Sequence, residues 1–266
     1  MKRLFVSLAL GLSLTLTPPL AAGEVTVDGR AVEAAATVRE NTTYVSLRAV
    51  VQALAPEAGI QWTGSCALAE GEDFTLTAQP GNCWLEVNGR ALYVPQGVLL
   101  EEGRTLVPVR VLAQALGAAV DWDSATGEVT VTSGTGEVPT GSEIYDAGDL
   151  YWLSRIISAE SRGEPLLGKL AVGNVVLNRA AHPDFPDTIY DVIFDSRWGG
   201  QFEPVRNGAI YDEPTEESVL AAKLVLEGAS VAGDSLYFLA PALTDDHWIM
   251  DNRDYVATIG VHWFYR

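Results

Sequence analysis

Three blocks of sequence occur twice, in the same order, in the first half of this 266-residue chain. Val27-Asp28-Gly29-Arg30-Ala31-Val32 recurs as Val87-Asn88-Gly89-Arg90-Ala91-Leu92. The run from Thr43 to Leu54 recurs from Thr105 to Leu116, and Ile60-Gln61-Trp62 recurs as Val120-Asp121-Trp122. A duplication of this kind restricts the fold to two similar units that share a core. Each copy reads as strand, turn, strand, helix, strand. Asp28-Gly29 and Asn88-Gly89 are hairpin-turn dipeptides flanked by alternating residues. Leu47 to Leu54 and Val109 to Leu116 have helical spacing, Gly117 stops the second helix, and Glu128 to Thr132 supplies a closing strand. The expected fold is α+β, with a duplicated N-terminal module.

The repeated pattern of Val-x-Gly-Arg, then Val-x-Leu/Val-Arg, then Leu and Trp, resembles the copper amine oxidase N-terminal-like domain over about residues 24–132. The resemblance implies an accessory module that contacts a wall polymer or spaces an enzyme from it. It implies no copper chemistry, and this half contains no histidine.

The start of the chain has a signal-peptide layout. Lys2 and Arg3 precede an apolar run from Leu4 to Leu16, and small residues end at Ala21-Ala22-Gly23. Residues 1–22 are therefore expected to be removed, leaving no stable membrane span, and the protein is expected to be secreted. The alternative is an N-terminal membrane anchor. The net charge is −18. That argues against nucleic acid and anionic lipid as partners, because both attract basic surfaces. Cys66 and Cys83 are the two cysteines. An even count in an exported chain permits a disulfide worth roughly 3 kcal/mol, with two free thiols as the alternative. Their spacing fits no zinc motif, and the scattered His182, His247 and His262 suggest no metal site.

Residues 133–148 are rich in glycine and serine and read as a linker. The remainder, 149–266, reads as mainly helical with a small sheet. Helices are expected over Asp149–Ser161, Pro165–Arg179 and Thr215–Glu227, with a strand at Leu236–Leu239 and a loop at Trp198–Phe202. On the first of these helices Leu150, Leu153 and Ile157 form an apolar stripe, and Glu160 takes its next position. A carboxylate on a buried face is costly unless paired or functional, and burial raises its pKa toward that of a general acid near neutral pH. The competing reading pairs Glu160 with Arg155 or Arg162 at a solvated helix end.

Ala159-Glu160-Ser161-Arg162-Gly163-Glu164-Pro165, then Val175-Val176-Leu177-Asn178-Arg179, Phe185-Pro186-Asp187-Thr188, Gln201-Phe202, Leu236-Tyr237-Phe238 and a closing Gly260-Val261-His262 resemble SleB-type cell-wall hydrolases. The resemblance implies a lysozyme-like domain that cleaves peptidoglycan, notably spore cortex, as a lytic transglycosylase. It makes Glu160 the catalytic acid and needs no cofactor or metal. Gln201, Phe202, Tyr237 and His262 are candidate substrate contacts. Arg162, Glu164, Asn178 and Arg179 are candidate supporting residues.

Two other readings stand beside this one. A wall-binding scaffold could carry an inactive hydrolase-like domain. A muramidase could cleave by hydrolysis, which a second carboxylate about 5–9 Å from Glu160 would favour. Asp195, Glu203 and Asp212 are the carboxylates to consider.

Overall fold

The computed structural model describes residues 23–197, 200–244 and 247–266. The expected signal peptide lies outside those residues, as do Trp198, Gly199, Asp245 and Asp246.

The first copy of the repeat comprises β1 (Val25–Val27), β2 (Arg30–Val32), β3 (Thr37–Arg39), β4 (Thr42–Ser46), α1 (Leu47–Leu54) and β5 (Gly59–Thr63). β6 (Cys66–Glu70) and β7 (Thr75–Ala78) follow. The second copy comprises β8 (Trp84–Val87), β9 (Arg90–Tyr93), β10 (Leu99–Glu101), β11 (Arg104–Pro108), α2 (Val109–Ala115) and β12 (Ala119–Trp122), closed by β13 (Val129–Thr132). Each copy thus holds five strands where its hydrophobic pattern suggested three, β3 and β10 being among the additions. Both are three residues long, too short to show a period.

The two hairpin dipeptides behave as their chemistry requires. Asp28, Gly29, Asn88 and Gly89 all take positive φ, which two-residue hairpins need. β4 and β11 pair antiparallel with Val45 opposite Val107, at the centre of a sheet ordered β10-β11-β4-β3. A second sheet runs β12-β13-β1-β2 and a third β5-β6-β7-β8-β9. One core fills the space between them, with Val45, Leu47, Val51, Leu76, Leu85, Leu112 and Val131 buried.

The third sheet corrects the disulfide expectation: Cys66 and Cys83 are both free. Cys66 begins β6 and Cys83 precedes β8, and β7 lies between those strands. Two strand spacings of about 4.8 Å separate the Cα atoms by about 10 Å, beyond the roughly 7 Å a disulfide can span.

The segment 133–148 is more ordered than its composition suggested. α3 (Gly141–Ile144) carries a capping box in which Glu143 accepts from the Thr140 backbone N–H. Val138 is buried in the N-terminal core, and its N–H donates to Asp73. Local hydrogen bonds and one apolar anchor dock what composition alone reads as a tether.

The C-terminal half contains α4 (Ala147–Ser161), α5 (Leu166–Ala180), α6 (Ile189–Ile193), α7 (Glu203–Asn207), α8 (Glu216–Leu226) and α9 (Trp248–Asn252). β14 (Tyr237–Leu239), β15 (Tyr255–Ile259) and β16 (His262–Tyr265) form a sheet ordered β14-β16-β15. Asp146 caps α4, and Thr215 caps α8 with Glu216 and Glu217 in its positive first turn. α4, α5 and α8 pack together around Leu153, Ile157, Val172, Val176 and Leu224. Among the described residues, no helix is long and apolar enough to cross a membrane.

The two halves share a seam. Arg90 on β9 and Glu227 at the end of α8 form a two-pronged ion pair at 2.7 and 2.8 Å, both side chains 4% exposed. Tyr145 joins it, accepting from the Ala91 N–H at 3.0 Å and donating to Glu227. Lys223 of α8 donates to the Gly89 carbonyl at 2.8 Å. Ala91, Trp84 and Tyr93 pack into the helical core.

Candidate active site

Glu160 sits in the last turn of α4, half-buried. Among the described residues its carboxylate accepts no hydrogen bond and forms no ion pair. The two arginines that could have neutralised it are engaged elsewhere. Arg155 pairs with Glu213 at 3.1 Å, and Arg162 donates to the Glu213 carbonyl at 3.0 Å. Arg162 is exposed, so it ties the end of α4 to the segment ahead of α8 and does not line the site. Burial pushes the Glu160 carboxyl up to about 7, against a smaller opposite pull from Arg179. The acid is thus near half-protonated at neutral pH.

Arg179, on α5, is 5% exposed. Its Nε donates to the Leu236 carbonyl at 2.7 Å, while its buried Nη1 has no hydrogen-bond partner. The guanidinium lies over three rings, 5.1 Å from the centroid of Phe185, 5.2 Å from Phe202 and 5.6 Å from Tyr237. Burial lowers its pKa to about 10, which leaves it charged at neutral pH. Arg179 is therefore a fixed cation facing Glu160, held by aromatic faces and one carbonyl.

The substrate-contact candidates divide. Tyr237 is half-buried, with Arg253 on its ring at 4.6 Å and Phe185 at 6.2 Å. Gln201 is half-buried, and among the described residues its Nε2 reaches only the Arg197 carbonyl, at 3.5 Å. Both have surface to offer. Phe202 is 3% exposed and packs on Phe238, so it floors the site and cannot present a ring to a sugar. His262 is buried edge-on to Phe238, its Nδ1 without a partner, and burial lowers its pKa, with Glu164 partly offsetting the shift. It is a neutral wall residue.

Asn178 donates to the Gly233 and Ser235 carbonyls, both at 2.9 Å, and so fastens the approach to β14. Glu164 accepts from the Val261 N–H at 3.0 Å. It therefore holds the β15–β16 turn against the α4–α5 junction. Gly260 has φ +60, and a Cβ there would collide with the Glu164 carboxylate. The spacing Gly260-Val261-His262 has a physical basis here: the glycine admits Glu164, and its partner's grip sets His262 at the start of β16.

Sequence reasoning missed Lys169 and Asn174. Lys169 is 2% exposed, donates to Glu217 at 2.6 Å and also bonds the Glu164 carbonyl. Asn174 donates to the Ala229 carbonyl and accepts from the Val231 N–H, bracing the chain beyond α8. Polar residues inside the apolar run of α5 were the available signal.

Of the other carboxylates, Asp195 interacts electrostatically with Arg179 but is bound by Arg197 through its backbone N–H, Nε and Nη2 at 2.9–3.0 Å, which holds it below the usual carboxylate range. Glu203 pairs with Arg206 on the exposed side of α7, and Asp212 is exposed. Among the described residues, no three His, Cys, Asp or Glu side chains converge to hold a metal.

A protonatable carboxyl on a helix end, faced by a buried cation that is held on aromatic rings, has the electrostatics that general acid chemistry requires. Residues 163–265 match the cell wall hydrolase family, and residues 26–131 match the copper amine oxidase N-terminal domain. The cell wall hydrolase CwlJ of Oceanobacillus iheyensis is 32% identical over 103 residues, covering 36% of this chain and 72% of that protein. The chain belongs to the cell wall hydrolase family. It is also 36% identical over 127 residues to a spore cortex-lytic enzyme of Bacillus cereus, covering 48% of this chain and 46% of that protein. It thus spans about half the length of the spore cortex-lytic enzymes it matches. A solved structure, the catalytic domain of the germination-specific lytic transglycosylase SleB from Bacillus anthracis, is 36% identical. It covers 48% of this chain and all of that one, with a TM-score of 0.43.

Proposed function

We propose that the C-terminal half cleaves peptidoglycan glycan strands as a lytic transglycosylase, with Glu160 as both acid and base. The observation that carries this reading is the state of Glu160: half-buried, unpaired among the described residues and pushed by burial up to about 7. Glu160 protonates the glycosidic oxygen between N-acetylmuramic acid and N-acetylglucosamine, and the C1–O bond breaks. The muramoyl C6 hydroxyl then attacks C1, closes an anhydro ring and returns its proton to Glu160. No water is consumed and no second carboxylate is needed. Arg179 supports this as a fixed positive charge that offsets the carboxylate formed between the two transfers. The binding of Asp195 by Arg197 favours this route over hydrolysis, because it engages one of the carboxylates that could serve as a second base.

Tyr237 and Gln201 contact the glycan, the first by stacking and the second through an N-acetyl group. Glu164, Asn178 and Arg179 position the walls. The chain acts outside the cytoplasm on wall material, spore cortex included, and its N-terminal module contacts wall polymer. The test is a digest of vegetative peptidoglycan, and of cortex containing muramic lactam, with products weighed by mass spectrometry. Anhydro-muropeptides from the wild type and none from Glu160→Gln are expected. Hydrated reducing ends would replace transglycosylation by hydrolysis. Intact glycan on both substrates with the wild type would move a scaffold role ahead.

A further inference from the structure

The N-terminal module contains two grooves related by its duplication. Val45 and Val107 are partners both in the repeat and across the β4–β11 ladder, so a local two-fold axis passes between them. Each groove draws on both copies. One, of about 210 Å³, sets Arg48 and Trp62 of the first copy against Arg104 and Thr105 of the second. The other, of about 660 Å³, sets Arg110 and Trp122 of the second copy against Thr42 and Thr43 of the first. In the repeat, Arg48 corresponds to Arg110, Trp62 to Trp122 and Thr105 to Thr43.

Residues shared by the two copies sort by what the fold asks of them. Val27 and Val87, and Val45 and Val107, are core. Gly29 and Gly89 make turns. Neither need applies to the arginine and tryptophan pairs, although Arg48 also donates one Nη2 hydrogen to the Ile60 carbonyl at 3.1 Å. Arg48 and Arg110 are exposed, and the indoles of Trp62 and Trp122 are 50% and 54% exposed. Both tryptophans lie on edge strands, β5 and β12, where a large apolar ring contributes little to the core.

What the pair can do together is more specific. An indole face stacks on the C–H face of a pyranose, and a guanidinium takes a carboxylate in a two-pronged bond. On a chain of net charge −18, guanidinium-lined grooves are local exceptions to a surface that repels anions. We infer that each groove binds a carboxylate-bearing saccharide of the wall, sugar on Trp62 or Trp122 and carboxylate on Arg48 or Arg110. The module then grips its polymer at two points. This rests on the reading of the module as wall-facing and not on the chemistry of Glu160.

The test uses the protein carrying Glu160→Gln, so that nothing is cut, pelleted with purified peptidoglycan sacculi over a range of salt. Trp62→Ala and Trp122→Ala should each raise the half-saturating concentration about 10-fold, and the double variant roughly 100-fold or more, as two-point attachment requires. Trp→Phe at both positions should retain most of the binding. Arg48→Ala with Arg110→Ala should remove most of the salt dependence, and neutral chito-oligosaccharides should compete poorly with muramic acid-containing fragments. Equal pelleting by the wild-type grooves and the double tryptophan variant would overturn the inference. So would an effect confined to one groove, or a dimer in sedimentation that the tryptophan variants dissolve without changing polymer binding. Because the reference protein and every groove variant carry the same C-terminal half, the comparison among them stands whichever residue cleaves.

Discussion

The seam between the halves and the end of α4 bury charge in opposite ways. At the seam, Arg90 and Glu227 are each 4% exposed and are bonded to one another, with Tyr145 and Gln114 adding further donors to the carboxylate. At the end of α4, Glu160 has no partner among the described residues, and the cation that acts on it, Arg179, is committed to a carbonyl and three rings. A buried charge that is paired holds parts together, even where one nitrogen, Arg90 Nη1, finds no hydrogen-bond partner. One left unsatisfied keeps its free energy available for a reaction.

Breaking the seam is the largest expected perturbation. Arg90→Ala leaves Glu227 buried and unpaired, a loss of about 3–5 kcal/mol. Denaturant unfolding should then separate into two transitions, whereas the wild type should unfold in one. Replacing Arg90 and Glu227 together by methionine and leucine should recover most of the loss, because the penalty belongs to the orphaned charge. If the single variant unfolds like the wild type, the seam is not what couples the halves.

Glu160→Gln sharpens the other side of the comparison. A carboxyl with its folded pKa raised to about 7 binds its proton more tightly folded than unfolded. Its stabilising effect is fully present below about 4.5 and is lost as pH rises through about 7. Above pH 7 the wild type carries a poorly solvated carboxylate, and Glu160→Gln should be more stable by up to about 3 kcal/mol. Near pH 4 the two proteins should melt alike. The same pKa predicts that kcat/KM on glycan falls about tenfold per pH unit above about 7. A melting difference independent of pH would show that the carboxyl is not perturbed.

Gly260→Ala is the smaller structural test. It strains a positive φ and displaces the Glu164 carboxylate, a loss of roughly 1–3 kcal/mol. Cleavage should fall with it, because the β15–β16 turn is what Glu164 holds. Smallest of all, Trp62→Ala and Trp122→Ala should shift stability by about 0.5 kcal/mol or less, as expected for exposed side chains outside the core.

Much of this was legible in the chain itself. The duplication, the two hairpin turns, α1, α2, α4, α5 and α8 all follow from local pattern. So does Glu160 as a carboxylate where an apolar residue belongs. The short strands β3 and β10 were not legible, because three residues carry no period. Nor were the docking of 133–148, the separation of Cys66 from Cys83 by β7, and the burial of Phe202.

The sequence by itself determined which residues could do chemistry, since residue type and local spacing are properties of neighbours along the chain. Only the tertiary structure decided which of them are free to do it. Arg155 and Arg162 turn to Glu213, Arg197 claims Asp195, and Arg179 is held on its rings. Asp195 and Arg197 are two positions apart, but Arg155 meets Glu213 58 positions away and Arg179 meets the Leu236 carbonyl 57 positions away, and local pattern carries no information about contacts of that range.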